Sequence, residues 1–143
     1  MDTKQFLEYE WEYGNVEIAL HVGKYLYGGL YIEMLCREDG NWETFSDLTK
    51  NIPGYVLEEN EAYITHDFSD SKLKFIKKHK LGTVMPDYAR SGFCTYRKVA
   101  FDLKRLAELD PDGVKQFAQE MDITYTSLDE LYHNCLLYTS DAA

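Results

Sequence analysis

Two runs of alternating residues on either side of a glycine pair constrain the fold most strongly. The run Val16–Tyr25 carries large apolar residues at positions 16, 18, 20 and 22, and the run Leu30–Arg37 resumes the alternation after Gly28 and Gly29. A period of two is typical of a strand with one buried face, and glycine accepts the positive φ angles of a tight turn. The sequence therefore predicts an antiparallel β-hairpin.

Segments on both sides of this hairpin add further strands and helices. The additional predicted strands are 6–13, 42–48, 60–66 and 92–101. The predicted helices are 72–81, 102–109 and 112–121, with one more after Ser127; residues suited to cap an N-terminus precede all of them except 102–109. We expect the first strand to turn at Gly14-Asn15 and Met85-Pro86-Asp87 to interrupt the chain. The fold class is α+β, with an antiparallel meander sheet of about four to six strands covered by two or three helices.

The length of 143 residues and the 45% apolar composition suit one globular domain. We assign residues 1–134 to a single α+β domain. The last nine residues, Cys-Leu-Leu-Tyr-Thr-Ser-Asp-Ala-Ala at 135–143, resemble a translated sequencing adapter. We expect this segment to be a non-native tail that replaces the true C-terminus; an ordinary polar tail is the alternative.

The net charge of −10 is unevenly distributed along the chain. Residues 1–70 contribute −11 and residues 106–143 contribute −7, whereas residues 71–105 hold 10 basic and 2 acidic residues. The overall charge argues against binding to duplex nucleic acid or to an anionic membrane. The basic segment is compatible with an anion-binding face. Alternatively, its lysines form the solvated face of one helix: Lys72, Lys74, Lys77, Lys78 and Lys80.

The motifs that would indicate catalysis or a metal site are missing from the sequence. The four histidines and three cysteines are not at metal-ligand spacing, and there is neither a phosphate-binding glycine loop nor a nucleophile elbow. We therefore expect no metal and no cofactor, and a binding protein rather than an enzyme. The N-terminus does not resemble a signal peptide, and the separated cysteines suit a reducing compartment, which predicts a cytoplasmic protein.

The segment 88–98 combines the residue types of a nucleotide pocket. It offers cations for phosphate, aromatic rings for stacking on a base, and a Ser-Gly loop whose backbone can approach an anion. The candidate ligand-binding residues are Tyr88, Arg90, Ser91, Gly92, Phe93, Tyr96, Arg97 and Lys98. The alternative is an ordinary loop and strand, with the aromatic residues in the core and the cations in water.

Several segments together carry a family resemblance. The hairpin at 16–37, the segments 48–53 and 60–64, Leu81-Gly82 and the run Ser91–Tyr96 resemble, in order and spacing, a small domain family of unknown function found in phages and conjugative elements of gut bacteria. The similarity spans roughly residues 14–105. It implies a small α+β fold and a mobile-element setting, with no catalytic residues to transfer. Arg97 stands where the family often has proline.

The function that we expect is therefore that of a non-catalytic anti-defence protein that sequesters a nucleotide-type immune signal. Since pockets of this kind are often built at subunit interfaces, we also expect a homo-oligomer. One alternative is an acidic inhibitor that imitates nucleic acid and binds a host defence protein through Glu8, Glu10 and Glu12. A third alternative is an unrecognised hydrolase.

Overall fold

The structure is a computed structural model that describes residues 5–26 and 28–123. The helix expected after Ser127 and the tail 135–143 lie outside these residues. The described elements, in chain order, are β1 (Leu7–Trp11), β2 (Gly14–Lys24), β3 (Leu30–Glu38), β4 (Asn41–Asp47), β5 (Thr49–Lys50), β6 (Glu61–Ile64), α1 (Ser69–Lys78), β7 (Gly82–Ser91), β8 (Cys94–Phe101), α2 (Leu103–Leu109) and α3 (Pro111–Glu120).

The strands form two antiparallel sheets of four strands each, and the α+β class is confirmed. The first sheet is the predicted meander, in the order β1-β2-β3-β4. The second sheet has the order β5-β6-β8-β7. The first sheet curls so that its two edge strands meet, with the rings of Trp11 and Phe45 5.1 Å apart.

A common core joins the two sheets and the three described helices. Its buried residues include Ile18 from β2, Ile64 from β6, Phe101 from β8 and Phe117 from α3. The ring of Phe75 on α1 contacts that of Tyr9 on β1 edge to face at 5.3 Å. The apolar alternation of the strands and the apolar stripes of the helices are therefore buried against each other.

Two of the three described helices begin as the sequence predicts. The side chain of Asp102 accepts a hydrogen bond from the backbone N–H of Arg105 at 3.1 Å, and Asp110 accepts one from Gly113 at 3.3 Å. Helix α1 differs, because its N-cap residue is Phe68, with φ of 55° and no capping hydrogen bond from a side chain. The expected capping by polar side chains at this helix is therefore wrong.

The interpretation of Lys72 as part of a solvated helix face is also wrong, because its side chain is completely buried. The Nζ atom donates to the hydroxyls of Ser46 at 2.8 Å and Thr65 at 2.7 Å, and to the carbonyl of Asp47 at 2.9 Å. A buried ammonium group needs such partners to replace its water. Lys72 therefore ties α1 to the end of β4 in the first sheet and to the residue that follows β6 in the second.

The expected interruption at Met85-Pro86-Asp87 is a β-bulge within a longer strand. Strand β7 continues through it, and the register with β8 shifts between Val84 and Tyr88. Proline donates no backbone hydrogen bond, but β7 is an edge strand and a bulge leaves residues unpaired, so proline is tolerated here.

Candidate functional site

The predicted ligand-binding segment forms the hairpin of β7 and β8, which extends beyond the end of β6. The pairing of β7 with β8 closes at Ser91 and Cys94, whereas β6 pairs only with residues 98–100 of β8. Gly92 takes φ of 63° in the two-residue turn, a conformation that glycine adopts without strain. Phe93, the second turn residue, is fully exposed. The hairpin end is therefore a surface feature.

The register of the hairpin brings three of the eight predicted site residues onto one face, together with Thr95. Tyr88 lies opposite Arg97, and Arg90 lies opposite Thr95. Because cross-strand partners share a side of the sheet and alternate residues point the same way, these four side chains lie together. We call the surface formed by Tyr88, Arg90, Thr95 and Arg97 the arginine face.

Arg97 and Tyr88 form the best-defined contact on the arginine face. The guanidinium carbon lies 4.8 Å from the centroid of the Tyr88 ring, and Nη1 donates to the Tyr88 hydroxyl at 2.6 Å. The Nε atom donates to the carbonyl of Met85. A guanidinium has five N–H donors. Within residues 5–26 and 28–123 the structure gives partners to two of them, so three face solvent or a ligand.

Arg90 is held through its backbone, while its side chain is exposed. The backbone N–H donates to the Tyr55 hydroxyl at 2.9 Å, and that hydroxyl donates back to the carbonyl of Arg90 at 3.5 Å. In the described part of the chain the guanidinium of Arg90 makes no hydrogen bond or ion pair. Arg90 and Arg97 are diagonal cross-strand neighbours, a spacing of about 7–8 Å between Cα atoms.

Lys98 lies on the opposite face of β8 and is already paired. Its Nζ atom is 2.9 Å from Asp87 and 3.7 Å from Glu61, and 12% of the side chain is exposed. Burial lowers the pKa of Lys98, but the hydrogen bond to Asp87 and the two negative charges outweigh burial, so the net effect raises it. The charge of Lys98 is therefore neutralised within the protein.

Tyr96 also lies away from the arginine face. Its side chain packs in a small second core with Ile52, Tyr63 and Ala89 and is 9% exposed. The loop before β6 covers this side of the hairpin. The structure therefore brings Tyr88, Arg90 and Arg97 together, separates them from Tyr96 and Lys98, and places Ser91, Gly92 and Phe93 at the hairpin end.

Sequence reasoning missed the residues that decide which cations stay accessible. Tyr55 fixes the edge strand at Arg90, and Asp87 with Glu61 neutralises Lys98. Tyr55 and Arg90 are 35 positions apart in the sequence. Glu61 and Lys98 are likewise separated by more than thirty positions. Of these residues, only Asp87 lies close in sequence to its partner, Lys98. Alternation along the hairpin gives a weak signal for this pairing.

The described residues contain no group of three or more His, Cys, Asp or Glu side chains that could hold a metal ion. Among the described helices, none combines the length and the apolar character needed to cross a membrane. Cys36 and Cys94 are free thiols.

Two four-stranded antiparallel sheets share a core with the three described helices. This arrangement defines a small α+β domain with an extended hairpin. The chain belongs to the family described as a domain of unknown function (DUF4313), which matches residues 19–121. The match confirms the family of unknown function implied by the resemblance. Comparison with curated proteins and with solved structures found no match.

Proposed function

We propose that this protein is a non-catalytic binding protein that takes a nucleotide-type ligand on the arginine face. The observation that carries the proposal is the stack of Arg97 on the exposed Tyr88 ring, with the unpaired side chain of Arg90 on the same face of the described hairpin. Arginine binds phosphate through paired N–H donors, and a base stacks on aromatic or guanidinium planes.

The surrounding charge supports an anionic ligand. The segment 71–105, which contains the whole hairpin, carries 10 basic and 2 acidic residues in a protein of net charge −10. Four of these cations pair with carboxylates: Lys72, Lys78, Lys98 and Arg105. The positive charge that remains on the hairpin attracts an anion even when the whole molecule is acidic. Since Lys98 is neutralised, the attraction centres on Arg90 and Arg97.

The biological role that we propose is sequestration of a nucleotide immune signal in the cytoplasm of a bacterium that carries a phage or mobile element. The setting rests on the family resemblance, and the chemistry rests on the arginine face. We further propose a homo-oligomer, because the arginine face is an open surface and a second copy would supply its missing wall. Light scattering in solution measures the subunit number, and a monomer with and without ligand would contradict the oligomer.

Isothermal titration calorimetry with cyclic dinucleotides and with cyclic ADP-ribose tests the ligand class. We expect one of these probes to bind, and Arg90→Gln to weaken its binding at least tenfold. Lys77→Gln is the matched control, since it removes one exposed positive charge from α1. No binding across the panel, or equal losses in the two variants, would overturn the proposal.

Recovery of the ligand separates sequestration from catalysis. The bound probe is released by heat and identified by mass spectrometry. Sequestration predicts that the nucleotide returns unchanged, whereas a cleaved product would indicate a hydrolase instead.

A further inference from the structure

A cleft with a volume of about 670 Å³ lies where the end of β1 meets the start of α1, away from the arginine face. It is lined by residues 10–12, 66–71 and 74. The volume lies within the range of about 300–1,000 Å³ that is typical of ligand-binding clefts. We call this feature the aromatic cleft.

Two aromatic residues, Trp11 and Phe68, line the cleft, and Tyr13 packs against both from outside the lining. The ring of Trp11 contacts those of Phe68 at 5.1 Å and Tyr13 at 5.0 Å, both edge to face. Phe68 is 37% exposed and Tyr13 is 74% exposed, so the cluster presents apolar surface to solvent. Trp11 also contacts Phe45, which fixes the position of its ring from behind.

Most of the charged residues that line the cleft are acidic. Glu10, Glu12, Asp67 and Asp70 line the cleft, against the single lysine Lys74. Asp70 lies in the first turn of α1, where a negative charge also stabilises the helix, and Asp67 pairs with the buried Lys72 at 3.4 Å. Neither role applies to Glu10 and Glu12, whose carboxylates form no ion pair or hydrogen bond within the described residues.

We propose that the aromatic cleft binds arginine side chains from a basic segment of a partner protein. A guanidinium stacks on the face of tryptophan or phenylalanine and pairs with carboxylates at its edge, and residues of both kinds line this cleft. The charge of the cleft is complementary to such a segment. Several carboxylates in a cleft of this volume suit more than one arginine, which favours a peptide segment over a small cation.

The probe is a fluorescein-labelled nona-arginine peptide, titrated with the full chain and followed by fluorescence anisotropy. We expect binding, and we expect a nona-lysine peptide to bind at least fivefold more weakly because lysine lacks the planar group that stacks. Equal affinity for the two peptides would overturn the assignment of arginine. Failure of both peptides to bind would also overturn the proposal.

Two double variants locate the interaction. Glu10→Gln with Glu12→Gln should weaken nona-arginine binding at least tenfold. Glu58→Gln with Glu59→Gln changes the net charge equally at exposed positions outside the cleft and should change binding less than twofold. Equal effects of the two pairs would show attraction by overall charge and would overturn the proposal.

The chain has two tryptophans, so Trp42→Phe leaves Trp11 as the sole tryptophan. Its emission should shift when unlabelled nona-arginine binds. An unchanged emission at saturating peptide would place the peptide elsewhere and contradict the cleft. The outcome is independent of the nucleotide titrations, since the arginine face and the cleft share no residue.

Discussion

Asp110 accepts a hydrogen bond of 2.8 Å from the backbone N–H of Val22, 88 positions earlier in the chain. Strand β1 pairs with β2 only up to Ile18, so the edge of β2 beyond this point has no neighbouring strand on that side. Asp110 satisfies one donor on this edge and also caps α3 through Gly113. One carboxylate therefore joins the first sheet to the start of the last described helix.

Replacing Asp110 by alanine should destabilise the fold by about 2–4 kcal/mol, since it removes an N-cap and leaves a buried N–H of β2 without a partner. Urea unfolding followed by circular dichroism measures the loss. Asp112→Ala, at an exposed position in the first turn of α3, is the control and should cost less than about 1 kcal/mol. Equal losses would contradict the double role of Asp110.

Gly113→Ala should also destabilise the protein, although alanine favours a helix interior by about 1 kcal/mol over glycine. A Cβ atom at this position would lie 2.6 Å from the carbonyl oxygen of Val22 and would overlap the carboxylate of Asp110. We expect a loss of at least about 2 kcal/mol in urea unfolding, as for overpacked core positions. Gln116→Ala, on the exposed side of the same helix, should be neutral within about 0.5 kcal/mol. A stabilised Gly113→Ala protein would refute the close approach.

Lys72 should give the protein a component of stability that increases with pH. Burial lowers the pKa of Lys72, and the charge of Asp67 offsets this effect only in part. The folded protein therefore releases this proton at a lower pH than the unfolded chain. Between the two pKa values the unfolded chain binds more protons, so the free energy of unfolding rises with pH.

The comparison of the wild type with Lys72→Met isolates this component. We expect the difference in free energy of unfolding to shift in favour of the wild type as the pH rises from neutral towards about 10.4, the ordinary lysine value. Chemical unfolding at a series of pH values measures it. Lys74→Met is the exposed control on the same helix. A difference independent of pH would show that burial does not perturb Lys72.

Tyr31 should have the opposite effect at alkaline pH. Burial, together with the charges of Asp47 and Glu33, raises the pKa of the Tyr31 hydroxyl, which donates a hydrogen bond to Asp47 at 3.2 Å. Above about pH 10 the unfolded tyrosine ionises while Tyr31 in the folded protein stays neutral. This contribution is complete below that pH and is lost as the pH rises further.

Tyr31→Phe should therefore reduce the fall in unfolding free energy between about pH 9 and pH 11, and should remove one tyrosine that ionises above the ordinary tyrosine pKa in absorbance titrations at 295 nm. At neutral pH the variant should lose only about 0.5–1 kcal/mol, because one partly exposed hydrogen bond disappears. Tyr13→Phe is the control at an exposed position. If both variants keep the alkaline slope of the wild type, the Tyr31 environment is not responsible for it.

Local patterns in the sequence predicted most of the secondary structure. The alternation on each side of Gly28-Gly29 predicted β2 and β3, and the Asp-Pro pair at 110–111 predicted the start of α3. These signals depend on the period of side-chain directions and on hydrogen bonds within a few residues. Strand β7 was not predicted, because the pattern at Met85-Pro86-Asp87 indicated an interruption rather than a bulge. The pairing of the second sheet and the burial of Lys72 depend on distant segments, so no local pattern revealed them.

The candidate site shows the same division. The sequence located the segment 88–98 and its residue types, and alternation implied that neighbouring residues of a strand face opposite sides. The sequence did not show which side of the hairpin the loop before β6 would cover.

By itself, then, the sequence determined the hairpins of the first sheet, two of the helix starts and the membership of a family, because these depend on neighbouring residues and on residue order. Only the tertiary structure decided that Arg90 and Arg97 stay accessible while Lys98 is neutralised by Asp87 and Glu61. The physical reason is that the access and effective charge of a side chain depend on what packs against it, and here much of that packing comes from the distant loop before β6.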